Sequence, residues 1–421
     1  MKIKWILILL CSISMKDLLA QSTAPFTIEV CYQLAKEHYP LIKKQELILQ
    51  KSKYLLQNSS KTNLPQLNVS GQASYQSETV SFPAMGAGIS LSSLDKDQYK
   101  ILADVSQNLF DGGNTHHQKA AIRANEAVQQ QSLEVSLQVI KDRINQIYFS
   151  ILLLDEQLKQ NTIRTSDLNS SAAKVSALIK NGTSFRSNLD ELKAELVQAE
   201  MTNIEIKTQS QANLEMLSLL TGSTITRPSQ LIVPKPLSSP ATINRPELKL
   251  YDLQKKVYTI DEQKLHTDYL PKVSAFFQGG YGRPTLNFIK NEFGPWYITG
   301  VRLNWAFGSL YTLKDNKKIL NLNKLSVEAE RESFLQNTTV NLAQQTNEIL
   351  KFKALIEQDR KAIELRASIK KAAQAQQENG VITMRDYISQ LNAENIARQA
   401  LILHTIQLLQ SQYNYIYTSG N

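Results

Sequence analysis

The residues whose types lend themselves to chemistry are few, and they do not converge. An active site needs a nucleophile, a base and stabilising donors brought to one place, and no such set stands out among the 421 residues. His116 and His117 are adjacent, and neighbours on a helix point about 100° apart, a poor arrangement for holding one metal. They read as helix surface. Gly112-Gly113 lacks the Lys-Ser/Thr that completes a phosphate-binding loop and reads as a bend from strand to helix. Gly279-Gly280 reads as space for close strand packing. Cys11 lies in a segment expected to be removed, which leaves Cys31 without an internal disulfide partner and rules out a Cys-rich metal site. Among Val30, Tyr32 and Leu34, Cys31 reads as a small buried apolar side chain. The expectation is no catalytic residue, no cofactor and no metal.

The elements around these residues are more informative. Residues 1–20 have the layout of an export signal: Lys2 and Lys4 as a basic start, Ile6 to Leu10 as an apolar core, and Leu18-Leu19-Ala20 as a small-residue exit. Lipidation at Cys11 is a weaker reading, because Leu10 precedes it. Cleavage after Ala20 removes three lysines and one aspartate and takes the formal charge from +9 to +7. The basic residues are spread along helical faces without dense aromatic-interleaved blocks, so nucleic acid is not expected as a partner. No mature segment offers the run of about 18 apolar residues that a spanning helix needs. A membrane crossing would have to be made by strands.

The sequence is written twice. Asn63-Leu64-Pro65-Gln66-Leu67 recurs as Tyr269-Leu270-Pro271-Lys272-Val273, where proline stops a helix ahead of an alternating run. Asn108-Leu109-Phe110-Asp111-Gly112 is answered by Trp305-Ala306-Phe307-Gly308-Ser309, each pattern joining a strand to a helix. Lys180-Asn181-Gly182 is answered by Glu378-Asn379-Gly380. The spacing from Phe110 to Gly182 is 72 positions and from Phe307 to Gly380 is 73. Near-equal spacing over so long a stretch indicates two copies of one unit. The first copy covers 21–221: a helix, strands over about 65–76 and 98–110, a long helix over 113–180 and a shorter one over 184–221. A connector over 222–246, with Pro228, Pro234, Pro236, Pro240 and Pro246, cannot be a continuous helix. The second copy covers 247–421: a helix, strands over about 271–282 and 296–307, and helices over 309–379 and 383–417.

From Asn114 to Lys180 there is no proline or glycine, and Val128, Val135, Val139, Ile144, Ile147, Ile151, Leu154 and Leu158 recur at three- and four-residue steps. At about 1.5 Å per residue such a helix reaches on the order of 100 Å. It must pack against coiled-coil neighbours, with Asn-Gly caps where the chain reverses. The strands alternate. Leu67, Val69, Gly71, Ala73 and Tyr75 oppose Asn68, Ser70, Gln72 and Ser74. Tyr99, Ile101, Ala103 and Val105 oppose Lys100, Asp104 and Ser106. Val273, Ala275, Phe277 and Tyr281 oppose Ser274 and Gln278, while Tyr297, Val301, Leu303 and Trp305 oppose Arg302 and Asn304. Apolar outside and polar inside is the transmembrane barrel pattern, although a soluble half-buried sheet also alternates. Four strands cannot close a barrel, so copies must associate, and three would supply twelve strands. The segments 76–98 and 282–296, with Pro83, Gly86, Gly88, Pro284, Gly294 and Pro295, are expected to be outward loops.

These motifs together resemble the TolC-like family of outer-membrane efflux and secretion channels. The resemblance rests on Phe26 to Val30 with Leu34 to Pro40 at the start, Leu109-Phe110-Asp111-Gly112-Gly113 at the first strand–helix joint, Arg245-Pro246-Glu247-Leu248 opening the second copy, and Leu270-Pro271 before its strand. It covers nearly all of the mature chain. It implies a mainly α fold with a small β part: long coiled-coil helices plus four transmembrane strands, completed in a homotrimer as a twelve-stranded barrel on a helical tube. It implies an outer-membrane location with extension into the periplasm. The implied partners are outer-membrane lipid, a periplasmic membrane-fusion adaptor and an inner-membrane pump of an efflux or type I secretion system. In the family the adaptor meets the hairpin tips, here Asn181, Gly182, Thr183 and Asn379, Gly380, Val381, Ile382, Thr383. As bare sequence these are helix-reversing turns.

Two departures from the family pattern stand out. The second joint, Phe307-Gly308-Ser309, lacks the acid and second glycine, which leaves the shape of its turn open. Where some relatives place a ring of aspartates before the second tip, this chain has Lys370, Lys371, Gln374, Gln376 and Gln377, so a cation-selective acidic gate is not expected. A hydrogen-bonded glutamine constriction from Gln374 and Gln377 is one reading, and solvated helix surface is the other. The competing function is a periplasmic coiled-coil adaptor or structural protein without a pore.

Overall fold

The computed structural model describes residues 25–80, 93–237, 242–287 and 289–421. The export-signal stretch with Cys11, the loop residues Pro83, Gly86 and Gly88, and Pro240 of the connector lie outside the described residues. The chain runs α1 (Ile28–His38), α2 (Lys43–Lys61), β1 (Gln66–Tyr75), β2 (Asp97–Phe110), α3 (Asn114–Lys180) and α4 (Arg186–Thr221). It continues as α5 (Pro246–Leu265), β3 (Lys272–Arg283), β4 (Gly294–Asn304), α6 (Ser309–Glu378) and α7 (Met384–Ser419). The expected fold class, mainly helical with four strands, is borne out. Among the described residues no helix is long and apolar enough to cross a membrane.

The compact units do not follow the sequence copies. One unit comprises Met1–Ile42, Val135–Arg245 and Gln336–Asn421, and the other Lys43–Glu134 and Pro246–Leu335. Each therefore takes elements from both copies, and the long helix of each copy gives its first turns to one unit and its remainder to the other. The two-fold pattern read along the sequence thus does not cut the molecule in space, since each unit draws on both halves of the chain.

In the first unit the core is built where α3 meets α1, α4 and α7. Ile144, Tyr148 and Ile151 of α3, Ile28, Cys31 and Ala35 of α1 and Leu217 of α4 are fully inaccessible, and the rings of Phe149 and Tyr413 lie 5.5 Å apart. The inward stripe on α3 is a heptad pattern in which Leu133, Ile140, Ile147, Leu154, Asn161, Leu168 and Val175 recur every seventh residue, all buried except the half-buried Leu154. Leu137, Ile144 and Ile151 fill the alternate position. This spacing is that of a coiled-coil seam. It shifts the stripe read from sequence: Val139 is 63% exposed, while Leu137 and Ile140 face inward. Asn161 sits in the seam with its amide nitrogen donating to the Ala199 carbonyl and to Asn203 Oδ1, both at 2.8 Å. A polar residue satisfied at such a position fixes helix register.

The connector is held against this core. Phe26 and Leu231 form a parallel bridge. The buried Tyr148 hydroxyl lies 2.6 Å from the Ile232 carbonyl oxygen and 2.8 Å from that of Phe26, and accepts from the Ile232 N–H at 3.1 Å. Burial pushes its pKa up, with Cys31 second among the causes. Removing one member of a buried hydrogen-bonded group typically costs about 1–3 kcal/mol. Tyr148→Phe is therefore expected to lower thermal stability by an amount in that range, measured as the unfolding midpoint of the purified protein in detergent.

In the second unit the strands form one antiparallel sheet in the order β1-β2-β3-β4, and α2, α5 and the first turns of α3 and α6 are joined by polar links. Lys255 pairs with Glu328 at 2.7 Å, and Glu262 pairs with Lys324 at 2.8 Å and Lys317 at 3.0 Å. The pairing of β2 with β3 runs from Tyr99↔Arg283 to Phe110↔Val273 and so stitches the two sequence copies into one sheet. Leu109 is the extra residue where the register shifts. Two strand ends differ from the alternation. β4 begins at Gly294 and stops at Asn304, leaving Trp305 outside it. Asn304 pairs with Lys272, and the next partner would be Pro271, which has no N–H to extend the ladder.

Candidate functional site

The register gathers the four alternations onto common faces, because directly opposed antiparallel residues point the same way. Leu67, Val69, Ala73, Tyr99, Ile101, Val105, Val273, Phe277, Tyr281, Tyr297, Val301 and Leu303 share one face. Leu67, Tyr297, Val301 and Leu303 are each more than 60% exposed. Among the described residues no layer covers this apolar surface. Phe277 stacks on Tyr297 at 6.0 Å. The only charged strand residues on this face are Asp97 and Arg283, at the loop end, and they pair with each other at 2.6 Å. Arg283 also reaches Asp95 at 2.8 Å.

The other face is polar, with Gln66, Asn68, Ser70, Gln72, Lys100, Asp104, Gln278, Arg302 and Asn304. It also carries the apolar Leu102 and Ile298 and two rings that alternation alone does not explain. Trp296 lies opposite Gly280 and Phe276 opposite Gly300. A Cβ on Gly280 would stand 2.8 Å from the indole, and one on Gly300 would stand 3.2 Å from the phenyl ring. Gly280 thus seats a ring and, with Ile101 O 3.0 Å from the same Cβ, also gives the neighbouring strand the close approach that the sequence suggested. The signal was present as an aromatic residue and a glycine at matching positions of adjacent strands.

At the first joint β2 ends at Phe110 and α3 starts at Asn114. Gly112 and Gly113 have φ of +70° and +84°, a region that residues with a Cβ avoid. The Asp111 carboxylate accepts from Gly113 N–H at 2.9 Å and Thr115 N–H at 2.7 Å, and from the Thr115 hydroxyl. Partial burial pushes its pKa up, but the Thr115 and Gly113 hydrogen bonds outweigh this and hold it below the ordinary carboxylate value. The second joint has no left-handed residue. There Leu310 N–H donates to Phe307 O at 3.1 Å and Tyr311 N–H to Gly308 O at 3.2 Å. The Trp305 indole donates to Tyr269 O at 2.9 Å and Ser309 to Asp268 O at 3.1 Å. Pro65 and Pro271 immediately precede β1 and β3.

The tips are paired Schellman caps. At the first, Gly182 (φ +71°) donates to Ile179 O at 3.0 Å and Thr183 N–H to Leu178 O at 2.9 Å. At the second, Gly380 (φ +73°) donates to Gln377 O at 3.0 Å and Val381 N–H to Gln376 O at 2.8 Å. Asn379 is tied to Ala375 O at 2.8 Å. Thr383 and Asp386 form a reciprocal capping box that starts α7. Val381 is 71% exposed and Phe185, beside the first tip, 79%. Ile382 packs inward on a core that includes Leu168, Leu192, Met384 and Leu391.

Gln374 and Gln377 are half-buried and line a groove of about 400 Å³ between α3, α6 and α7, with Ser171, Lys174 and Tyr387 among its other walls. Gln374 donates to Glu378 at 3.1 Å, and Glu378 pairs with Lys174 at 3.0 Å. Lys370 turns inward, to Glu394 at 2.6 Å and Asp167 at 3.1 Å, and Arg398 also binds Glu394. Burial pushes Glu394 up, but the hydrogen bonds from Lys370 and Arg398 outweigh it and leave this carboxyl below its ordinary range. The rings of His116 and His117 meet edge-on at 5.4 Å. Among the described residues no group of three or more metal-ligating side chains exists.

Comparison with known proteins agrees with this arrangement. The family described as outer membrane efflux protein matches residues 31–223, which is most of the first copy. No curated protein matches the sequence. Among solved structures, the outer membrane protein VceC from Vibrio cholerae superposes with a TM-score of 0.66 at 13% identity, covering 94% of this chain and 96% of that one. The Campylobacter jejuni CmeC outer membrane channel gives 0.65 at 14% identity over 93% and 85%. The open state of the Neisseria gonorrhoeae MtrE outer membrane channel gives 0.66 at 12% identity over 94% and 89%.

The joints yield two predictions. A Cβ on Gly112 would lie 3.0 Å from Leu270 Cβ and 3.1 Å from Thr267 O, whereas one on Gly113 meets only the His117 ring at 3.8 Å. Gly112→Ala is therefore expected to destabilise more than Gly113→Ala, both beyond the roughly 0.5 kcal/mol of ordinary surface changes, read as the larger fall in melting temperature. Because the Asp111 pKa is lowered by folding, its stabilisation is present above the unfolded-state pKa and is lost as pH falls through the folded value. Asp111→Ala should cost about 0.5–2 kcal/mol at neutral pH, and the gap between the two melting curves should close on acidification.

The family match over the first copy and the fold over nearly the whole chain bear out the resemblance read from the motifs: this chain is similar to the TolC-like outer-membrane efflux channels.

Proposed function

We propose that this chain is one subunit of a trimeric outer-membrane channel serving an efflux or type I secretion system. Its sheet would lie in the outer membrane and its long helices would extend into the periplasm. The observation that carries this reading is the four-stranded sheet, with one continuous exposed apolar face and two outer edges, on β1 and β4, that have no strand partner among the described residues. In a membrane the backbone of an edge has no water to bond, so a spanning sheet must close on itself. Three copies give twelve strands, within the known range of barrel sizes.

The remaining parts fit the same reading. The polar face lines the conduit, and the inward helix faces continue it. The tips at Asn181 to Thr183 and Asn379 to Thr383 are the surfaces offered to a periplasmic adaptor, with exposed Phe185 and Val381 as apolar contacts. Conduction is passive and energy comes from an inner-membrane pump. Residues 1–20 direct export, and the two sequence copies descend from one duplicated unit. A coiled-coil adaptor without a pore would leave the apolar sheet face in water, which an exposed patch of this extent argues against.

The test is single-channel recording of the purified protein in a planar bilayer beside crosslinking of the same preparation. The expected result is discrete openings from a heat-sensitive trimer. A soluble monomer that gives no conductance under conditions that refold a control barrel would sink the channel and favour the adaptor.

A further inference from the structure

The sheet sorts its charges by face. On the apolar face, Asp97 and Arg283 neutralise each other at the loop end. On the polar face stand three cations, Lys100, Lys272 and Arg302, and one carboxylate, Asp104. Asp104 accepts a hydrogen bond from the Gln278 amide and, among the described residues, makes no ion pair. Among the described residues none of the three cations has an acidic partner. Arg302 is held over the Phe276 ring, its guanidinium carbon 4.9 Å from the ring centroid, a contact that orients a cation without cancelling its charge. The seats at Gly300 and Gly280 let Phe276 and Trp296 lie against the strands. The face therefore presents a formal charge of +2 per subunit.

We infer that this polar face makes the barrel section an anion-preferring passage, so that the solutes it favours are anionic. The inference rests on the channel reading above. Charged rings inside a low-dielectric wall select ions by sign, because the wall focuses their field into the narrow aqueous space. Closing three copies repeats Lys100, Lys272 and Arg302 around the conduit.

The experiment is the reversal potential of the trimer in a neutral-lipid planar bilayer under a potassium chloride gradient. The wild type should reverse on the chloride side of zero. Lys272→Glu, at an exposed strand end, should move the potential toward zero. The triple variant Lys100→Glu, Lys272→Glu, Arg302→Glu takes the face from +2 to −4 and should carry the potential through zero to potassium preference. The preference should shrink in concentrated salt, as the screening length falls from about 10 Å at 0.1 M to about 3 Å at 1 M. Openings with potassium preference in the wild type would overturn the inference while leaving the channel in place. So would a potential that none of the variants moves although they still form the heat-sensitive trimer. If only Lys272→Glu assembles, its shift decides. A total absence of openings is a different failure, and it would remove the channel reading and this inference together.

Discussion

The backbone hydrogen bonds along the two outer edges of the sheet are the constraint on which the rest of the structure depends. Each strand offers N–H and C=O groups on both sides, and within one chain β2 and β3 satisfy both sides while β1 and β4 satisfy one. Exposed flat edges beside an apolar face invite uncontrolled association in water. Closure with further copies, as proposed above, would remove both problems at once. The central β2–β3 pairing makes this closure possible from a single chain type, because it fuses the two sequence copies into one four-stranded segment with β1 at one margin and β4 at the other.

The joints show how a strand lying in such a sheet hands over to a helix within a few residues. Both copies need the chain to turn, and both need the first helical N–H groups to be satisfied. The first copy does this internally, with two left-handed glycines and the Asp111 carboxylate. The second uses an ordinary turn and fastens it from outside, with Trp305 and Ser309 donating to the carbonyls of Tyr269 and Asp268. The loss of the acid and glycine from the second motif is thus a change of partner, and the handover is kept. The first joint also depends on the second copy, since Gly112 lies against Thr267 and Leu270.

Much of this was legible in the sequence, and the boundary of legibility has physical causes. Period-two alternation identifies the faces of one strand but not which face of the next strand lies beside it. That sign is fixed by pairing, and here pairing places all four apolar sets together. The rings of Phe276 and Trp296 break the alternation, and they make sense only beside Gly300 and Gly280, which lie on partner strands. On α3 several overlapping three- and four-residue patterns exist, and Val139 belongs to one that faces outward. The choice fell to the heptad through Leu133, Ile140 and Ile147 because neighbouring helices cover it. The direction of Lys370 was not readable for a similar reason, since the groups that turn it inward lie on other helices, Asp167 on α3 and Glu394 on α7.

The distribution of charge over the sheet separates what folding demands from what transport can use. A lone Arg or Lys on the lipid side of a barrel costs about 2–4 kcal/mol near the midplane and about 0–1 near the interface. The apolar face accordingly carries its only two charges at the strand ends, in a pair. No comparable penalty acts on a water-lined face, where an unpaired lysine keeps most of its hydration. Folding therefore leaves the sign of the polar face undetermined. An excess of Lys100, Lys272 and Arg302 over Asp104 is not needed to build the sheet, so on the proposed channel reading its consequence lies in what passes over it.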